Sequence, residues 1–538
     1  MRDLSPPPRE LQALSEVAAT RVAPAAARAL LALLVALPLL WWGLEIGAGG
    51  LLSGGGIFAG AFSGPLPQGA RAANRELAAR LSALEDRIDR ESVASSAVRP
   101  PVQALLTGLL GAGNERAYPG RGGEVYFRED VDHLTGPPFL AKPAGFGGHR
   151  VAAAGPAAAR AADPRPAIRE LHEFLAARGI PLLLLPVPVK PAIHPEGLAR
   201  GAVEPPLRNR SEAALFAELA ADGIELLDPA PLLAARAAAG HRTYLRGDSH
   251  WRPEAVELVA AAVARRLREM ADLPAPGLVL RRVEGRASAV GDSVALLGLP
   301  SWARLFAPEE VSVRRVVGED GVAWRSRGDA PVLLLGDSFA NVFASADLGW
   351  GEGAGLAEQL ACELGIPVDR IARNAGGAHA SRAELARAIV RGEEPLAGVR
   401  AVVWQFATRE LSQGDWELLG LESLPSGADG AAGAPPQGAW ASGRIRAVAP
   451  SSVAADAPYR EALGALEVEL AGAPAVVYVW VRRDGEATAL ARLRAGSEVE
   501  LRLRPWEEVA GDLDAVQRFE LAGEAWWSWP VFLAEEVR

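Results

Sequence analysis

Two short motifs hold residues that could carry out acyl transfer. The first reads DSHW over residues 248–251, and the second reads GDSF over residues 336–339. A serine hydroxyl becomes a good nucleophile when an imidazole takes its proton, and the imidazole needs a carboxylate that fixes its tautomer. The motifs together offer Ser338, His250 and Asp248 for these roles. The alternative is that the serine only caps a helix and the histidine is an ordinary buried polar residue.

The residues before the second motif predict where its serine lies. Val332 to Leu335 is a short apolar run typical of a buried strand, and Gly336 allows a sharp turn directly after it. Ser338 would then lie at the carboxyl end of a sheet, which is the edge where open α/β folds bind ligands.

The region from about residue 124 to 416 alternates helix and strand patterns, which predicts a mainly parallel α/β sheet with flanking helices. The predicted helices are Ala167–Arg178, Pro253–Met270, Gly355–Leu364 and Ser381–Val390. The predicted strands are Pro181–Val189, Val332–Leu335 and Ala401–Phe406, with one more short strand ending before the NAGG sequence at 374–377.

Composition excludes several classes of function. A length of 538 residues allows two or three domains, and a net charge of −10 argues against nucleic acid as a partner, because such binding needs basic patches. The single cysteine, Cys362, rules out a disulfide within the chain and a cysteine-based zinc site. The seven histidines lack the usual ligand spacings, so we predict no metal.

An uncharged apolar run near the N-terminus predicts a membrane anchor. It covers residues 29–44 and can extend to 48, which is adequate for a span if flanking residues contribute. Arg21 and Arg28 precede it, and the next basic residue is Arg71, so residues 1–28 would be cytoplasmic and the rest of the chain periplasmic. The alternative is a cleaved signal peptide, although the nearest A-x-A sequence, at 59–61, lies far from the run.

Three further segments follow from sequence patterns. Residues 70–91 carry leucines at helical spacing between charges, which predicts a stalk helix or short coiled coil. Residues 423–438 are rich in Gly, Ala and Pro and predict a linker. Residues 440–538 read as a small β-rich domain whose tryptophans either pack its core or form a platform for a glycan. Those tryptophans are Trp506, Trp526, Trp527 and Trp529.

Several motifs in one order carry a family resemblance. They are YFREDVDHLTG (126–136), PVPVKPAIHPE (186–196), DSHW, LLLGDSF (333–339) and VVWQFATREL (402–411). In this combination the chain resembles the alginate O-acetyltransferase family of SGNH-hydrolase-like proteins, over roughly 290 residues. Common SGNH lipases and esterases place the serine motif first and the histidine motif last, whereas here the order is reversed.

The resemblance implies a mechanism and partners. Ser338 would be the nucleophile that accepts an acetyl group, His250 the general base and acid, and Asp248 the orienting carboxylate. The acceptor would be a hydroxyl of a secreted polysaccharide, and the donor a multi-pass acyltransferase of the inner membrane. No cofactor is expected.

Other residues are candidates for the oxyanion hole or for substrate binding. The amide of Ser338 is one oxyanion donor, and we expect others among Asn374, Gly376, Gly377 and Gln405. Arg409 and Arg382 are candidates for an anionic polymer or the acyl carbonyl, and Trp251 for stacking on a sugar. The alternatives are that the glycines only form a turn, that the arginines lie on the solvated surface, and that Trp251 packs in the core. Lys190 either orients the site or simply ends a strand.

Two other functions fit the same sequence. An acetylesterase of this fold would let water, rather than a sugar hydroxyl, attack the acyl-enzyme. A non-catalytic glycan-binding scaffold of an export complex would retain the fold without the chemistry. Hydrolysis measured against transfer separates the first from a transferase, and labelling of Ser338 by a serine-directed phosphonate separates the second.

Overall fold

The structure is a computed structural model, and it describes most of the chain. The described ranges are 24–47, 92–140, 163–424, 440–449 and 459–538, with a few positions between 69 and 81 and with gaps at 202, 327, 512, 514–515, 522 and 524–525. Most of the predicted stalk (70–91), nearly all of the predicted linker (423–438) and most of residues 1–28 lie outside these ranges. The chain divides into two compact units after Val102.

The first unit contains the predicted apolar helix. It runs over Pro24–Gly47 and includes Pro38. Within the described residues, no helix combines the length and the apolarity that a membrane crossing requires. The expected transmembrane helix at 29–48 is therefore not supported by the structure.

The elements of the described chain agree closely with the predicted helices and strands. Its α-helices are Pro24–Gly47, Val93–Leu110, Arg128–Thr135, Pro164–Ala176, Lys190–Ile193, Glu212–Ala221, Ala230–Ala238, Pro253–Met270, Asp292–Ala295, Ser338–Asn341, Leu356–Leu364, Gly377–Val390 and Glu410–Gln413. Its strands β1 to β16 are, in chain order, Ala117–Pro119, Val125–Phe127, Leu182–Val187, Glu225–Leu226, Arg281–Ala289, Glu309–Val317, Val332–Gly336, Val368–Ala372, Ala401–Ala407, Trp440–Val448, Ala462–Leu470, Ala473–Arg483, Glu486–Ala487, Glu498–Pro505, Gln517–Phe519 and Val531–Val537.

A five-stranded sheet forms the centre of the α/β region. Its strand order is β4-β3-β9-β7-β8, and every neighbouring pair is parallel. All residues of β3, β7 and β9 are buried, because helices cover both faces of the sheet. Apolar side chains of β7 alternate between two core clusters, with Leu334 in one and Leu333 and Leu335 in the other.

The carboxyl ends of β3, β7 and β9 bring three predicted site segments to one edge. Lys190 follows β3, Ser338 follows β7, and Arg409 follows β9. Because parallel strands end at the same edge, residues far apart in sequence meet there.

The C-terminal region is a β barrel. Strands β12, β16, β14, β10 and β11 pair in that order, and β11 pairs again with β12, which closes the ring. The short strand β15 adds to β11 in parallel, and β13 adds to β12.

The barrel tryptophans pack rather than form an open platform. Trp506, Trp526 and Trp527 are buried in an apolar cluster shared with the α/β region, and Trp529 is partly buried against it. The packing alternative is the one the structure supports for these residues.

Candidate active site

Ser338 sits on a tight strand-to-helix turn. Strand β7 ends at Gly336, and a Cβ added there would lie 2.8 Å from Cβ of Ala340, so the turn requires glycine. The carboxylate of Asp337 caps the following helix by accepting from the backbone N–H of Phe339 at 2.8 Å. Ser338 is the first residue of that helix, so the helix does not use its own backbone N–H.

His250 connects the serine to a carboxylate. Its Nε2 lies 2.8 Å from Oγ of Ser338, and its Nδ1 lies 2.6 Å from Oδ1 of Asp248. All three side chains are buried. The geometry places a base within hydrogen-bonding reach of a nucleophile and fixes that base from behind, which is what acyl transfer through serine requires.

The carboxylate of Asp248 is itself held in place. Its Oδ1 also accepts from the backbone N–H of His250 at 2.9 Å. Its Oδ2 accepts from the indole N–H of Trp350 at 2.8 Å and from the backbone N–H of Asp292 at 2.9 Å. With both oxygens occupied, the carboxylate has no freedom to turn away from the imidazole.

A second carboxylate, missed from the sequence, lies beside the same imidazole. Oδ2 of Asp292 is 3.4 Å from Nδ1 of His250, and it accepts from the hydroxyl of Ser249 at 2.6 Å. Gly291 precedes it with φ 94°, and a Cβ there would lie 2.4 Å from the carbonyl oxygen of Gly247, so the two loops touch. The one signal in the sequence was that residues 291–293 repeat the string GDS.

The two carboxylates set the charge state of the histidine. Burial alone lowers the pKa of His250, but Asp248 and then Asp292 outweigh it and raise the pKa to about 10. Burial likewise raises the pKa of Asp292, but hydrogen bonding and charge from His250 leave it well below its usual range. Both carboxylates therefore stabilise the protonated imidazole relative to the neutral form.

Lys190 supports the histidine loop from inside. Its ammonium group donates to the carbonyl oxygens of Val125 at 2.7 Å, Arg246 at 2.5 Å and Asp248 at 3.2 Å, and it pairs with Glu124 at 3.1 Å. The side chain is fully buried, and burial lowers its pKa. This position favours the orienting role over the strand-end alternative.

A cavity of about 390 Å³ opens onto the serine and the histidine. Of the predicted binding residues, Gly377 and Arg409 line it, together with Ser249, Asp292 and Glu410. Asn374, Gly376, Gln405 and Trp251 are not among its lining residues. Some of the residues predicted from the sequence therefore line the cavity, and others do not.

Comparison with known proteins agrees with this architecture. Residues 146–408 match the family model described as the SGNH hydrolase-like domain of the acetyltransferase AlgX. Over these residues, which make up just under half of its length, the chain is similar to the alginate O-acetyltransferase family. The barrel lies outside the matched residues.

Relatives and solved structures match over limited lengths. The chain is 28% identical over 206 residues to the probable alginate O-acetylase AlgJ of Pseudomonas fluorescens, which is 37% of this chain and 50% of that protein. The AlgJ of Pseudomonas aeruginosa is also 28% identical, over 52% of its length. The chain thus spans about half the length of these curated relatives. The O-acetyltransferase domain of Pseudomonas putida AlgJ aligns with 56% of this chain and 94% of that domain, at 19% identity and a TM-score of 0.42.

Three predicted binding residues of the acetyltransferase domain serve its framework instead. Gln405 exchanges hydrogen bonds with Asp337, donating from Nε2 at 2.8 Å and accepting at 3.1 Å, so it fixes the serine turn rather than an oxyanion. Asn374 accepts from Asn341 at 3.1 Å. Trp251 is fully buried and donates to the carbonyl of Phe339, which excludes stacking on a sugar.

The two predicted arginines of the domain differ in position. Arg409 lines the cavity, pairs with the buried Asp130 at 3.0 Å, and lies over the ring of Phe339 at 5.7 Å. Arg382 is fully buried away from the cavity, where its guanidinium lies 5.4 Å from the ring of Trp404. Arg382 therefore does not line the cavity.

Carboxyl groups beside Arg409 have raised pKa values. Burial raises the pKa of Glu410 to about 7, against the opposing charge of Arg409. Burial also raises the pKa of Asp130 to about 6, again against Arg409. Near neutral pH the charge of this wall of the cavity therefore depends on pH.

The histidine and the two aspartates also form a group with metal-ligand chemistry. Ligand atoms of Asp248, His250 and Asp292 lie within 4.8 Å of one another. Each already takes part in the hydrogen bonds given above, and Nε2 of the histidine is directed at the serine. The arrangement matches proton transfer to and from Ser338.

Proposed function

We propose that this protein is a polysaccharide O-acetyltransferase that works through an acetyl-serine at Ser338. The observation that carries the proposal is the continuous contact from Ser338 Oγ through His250 to Asp248, at 2.8 Å and 2.6 Å, opening onto a cavity. The family match over residues 146–408 supports the choice of acetyl transfer among the reactions that such a site can perform.

In the proposed first step, Oγ of Ser338 attacks the carbonyl carbon of an acetyl donor. His250 takes the hydroxyl proton through Nε2 and returns it to the departing donor group, so the donor leaves protonated and the serine is acetylated. In the second step a sugar hydroxyl attacks the acetyl-serine. His250 takes the proton of that hydroxyl and gives it back to Oγ, which restores the free serine and releases the acetylated sugar.

We propose two backbone amides as hydrogen-bond donors to the oxyanion. One is the N–H of Ser338, which its own helix leaves unused. The other is at Gly377, which lines the cavity at the start of the helix Gly377–Val390. The positive end of that helix favours the negative charge that develops on the carbonyl oxygen.

Both carboxylates interact with Nδ1 of the histidine. Asp248 fixes the tautomer in which Nδ1 carries the proton, and Asp292 adds negative charge beside the same nitrogen. Both stabilise the imidazolium that forms when the serine attacks.

We propose an alginate-like, carboxylated acceptor and a separate donor protein. Arg409 offers a positive charge on the cavity wall to a carboxylated sugar, although Asp130 neutralises part of that charge. The donor is proposed to be a multi-pass membrane acyltransferase, because acetyl groups must reach a site outside the cytoplasm.

We also propose that the protein is anchored to the inner membrane with its active site in the periplasm. It rests on the apolar run and on the arginines before it, and the leucines of the helix Pro24–Gly47 are largely exposed, for example Leu34 at 62%. Extraction of membranes at alkaline pH tests it: an anchored protein stays in the pellet, and a protein found in the supernatant contradicts the anchor.

The function is tested by supplying the full chain with p-nitrophenyl acetate and non-acetylated alginate oligosaccharides. Mass spectrometry of the oligosaccharides should show an added acetyl group with the wild type and none with Ser338→Ala. Ser301→Ala, at an exposed serine outside the cavity, is the control, and thermal melting compares the stability of both variants with that of the wild type. Release of acetate without acetylated oligosaccharide would instead identify an esterase, and no turnover with either would favour the scaffold.

A further inference from the structure

The catalytic cavity has two walls, and Arg409 holds a defined place on one of them. The α/β wall carries Ser338, His250 and Arg409. The barrel wall consists of residues from the C-terminal barrel region, namely Tyr459, Gln517 and Phe519. The guanidinium carbon of Arg409 lies over two aromatic rings, 5.2 Å from the centroid of Phe127 and 5.7 Å from that of Phe339. Because Phe339 directly follows Ser338, these contacts place the cation close to the proposed nucleophile.

The helix Arg128–Thr135 supplies a buried partner for this arginine. Oδ1 of Asp130 accepts a hydrogen bond from Nη1 of Arg409 at 3.0 Å, and the Asp130 side chain is fully buried. A buried carboxylate is costly unless a cation pairs with it, so the two groups stabilise each other's positions. The pair fixes the charged end of the arginine side chain.

One turn further along the same helix, His133 fixes the backbone around Arg409. Nδ1 of His133 lies 2.7 Å from Oγ of Ser412, and that hydroxyl lies 3.2 Å from the carbonyl oxygen of Arg409. Nε2 of His133 lies 3.0 Å from Oε1 of Glu212, so this nitrogen carries a proton. The imidazole is buried and has a partner at both nitrogens, which fixes its orientation and, through it, the position of Ser412.

The segment 409–413 needs this support because it is short. Its helix, Glu410–Gln413, has four residues and begins three residues after β9 ends. The backbone groups at both ends of a helix lack partners within it, so a helix of this length depends on contacts from outside. Nε2 of Gln413 also donates to the carbonyl oxygen of Glu129 at 2.7 Å. Three contacts with one neighbouring helix therefore hold this segment.

We propose that His133 and Asp130 are positioning residues that keep Arg409 at the cavity, where it binds a charged group of the acceptor. Neither side chain lines the cavity, so both act through the arginine. The inference rests on the proposed function and deepens it, because Arg409 is the cation proposed for a carboxylated sugar. It also gives a role to the sequence YFREDVDHLTG (126–136), to which the two proposed chemical steps assign none.

The test uses the full chain with p-nitrophenyl acetate as donor and non-acetylated alginate oligosaccharides as acceptor. His133→Gln keeps an amide within reach of Glu212 but loses the contact with Ser412, so it should raise KM for the oligosaccharide about tenfold. Its rate of acetate release without acceptor should stay within about twofold of the wild type. His133→Asn, whose amide lies near the position of Nδ1, should recover most of the lost affinity.

Two further measurements show whether the effect passes through Arg409. In the background of Arg409→Gln, which removes the charge and keeps a donor for Asp130, His133→Gln should change KM by less than about twofold. With alginate oligosaccharides whose carboxyl groups have been reduced to alcohols, the change in KM should be equally small. Equal loss of transfer and of acetate release, no change in KM, or the full effect in either of these measurements overturns the positioning role.

The matched control is His241→Gln, at an exposed histidine outside the cavity. It should leave KM and both rates as in the wild type. If His133→Gln melts at a lower temperature than the control, Ser412→Ala replaces it, because that variant removes the same contact from a half-buried side chain. A wild type that releases acetate without acetylating the oligosaccharide overturns the proposed function itself, whereas the outcomes above concern the variants alone.

Discussion

The two walls of the cavity differ in how their side chains are held. On the α/β wall, His250, Asp248 and Asp292 form a connected set in which the distances between neighbouring polar atoms run from 2.6 to 3.4 Å. On the barrel wall, Gln517 has a side-chain oxygen without a partner, next to the half-buried Phe519. A fixed set of charges suits a chemical step. Variants on the first wall should therefore change kcat more than variants on the second wall do.

The largest effect is expected from removing the base. His250→Ala leaves Ser338 with no group to take its proton, so the rate of serine acetylation should fall by about 10⁴ or more. Quench-flow measurement of acetate and acetyl-enzyme checks this. Because His250 is buried, circular dichroism must confirm the fold, and a rate within tenfold of the wild type would contradict the role of the histidine.

The orienting carboxylate should come next. Asp248→Asn keeps the shape of the side chain but no longer holds the proton on Nδ1, so kcat should fall by roughly 10³ with little change in KM for the acceptor. Steady-state kinetics with varied oligosaccharide measure both constants. A variant that raises KM and leaves kcat unchanged would contradict the role of Asp248 in the chemical step and remove the contrast between the walls.

A large-to-small substitution in the barrel should lower the stability of the protein. Trp527 is 6% exposed within the cluster between the barrel and the α/β region, so Trp527→Ala should lower the free energy of unfolding by about 3–5 kcal/mol. Urea denaturation followed by circular dichroism measures the loss. Trp302→Ala is the matched control, because Trp302 is 68% exposed and its removal should change stability by less than about 0.5 kcal/mol. Equal effects of the two substitutions would show that Trp527 does not pack the core.

The smallest effect is expected from the second carboxylate, and it depends on pH. Neutral imidazole is the form that accepts the serine proton, so activity should rise with pH towards the His250 pKa of about 10. Asp292→Asn removes a negative charge that raises this pKa, so the rise should move to lower pH, while the maximum rate falls by about tenfold. The pH profile of acetate release, corrected for uncatalysed hydrolysis, shows both changes.

Asp320→Asn provides the control for charge, since Asp320 is exposed on a turn after β6. Its profile should overlay that of the wild type. If the profile of Asp292→Asn also overlays it, Asp292 has no influence on the histidine. A shift to higher pH would reverse the assigned electrostatic effect.

The sheet and the serine turn could be predicted from the sequence because their signals are local. Val332–Leu335 and Ala401–Phe406 are short apolar runs, and they form β7 and β9 within one residue of the predicted ends. Helix Pro253–Met270 has the predicted bounds, with proline in its first turn. At each of these positions the hydrophobic pattern and the types of the flanking residues predict the same element.

The missed parts of the site depend on contacts between distant residues. Asp292 reaches Asp248 across 44 positions because two loops with glycines touch. We predicted Gln405 as an oxyanion donor, but its amide donates to Asp337, which lies 68 positions away in the sequence. Trp251 is buried because β7 and its helix cover it, and an aromatic residue beside a catalytic motif carries no sign of which side it faces.

Ser338 carries the acetyl group in the proposed reaction and passes it to a sugar. The most direct measurement mixes the full chain with p-nitrophenyl acetate, quenches at short times, and locates the added acetyl group by peptide mass spectrometry before and after a chase with alginate oligosaccharides. We expect an acetyl group on the peptide that contains Ser338, and we expect it to be lost during the chase as acetylated oligosaccharide appears. Acetylation at another residue, or an acetyl-Ser338 that the oligosaccharide does not discharge, would contradict this reaction.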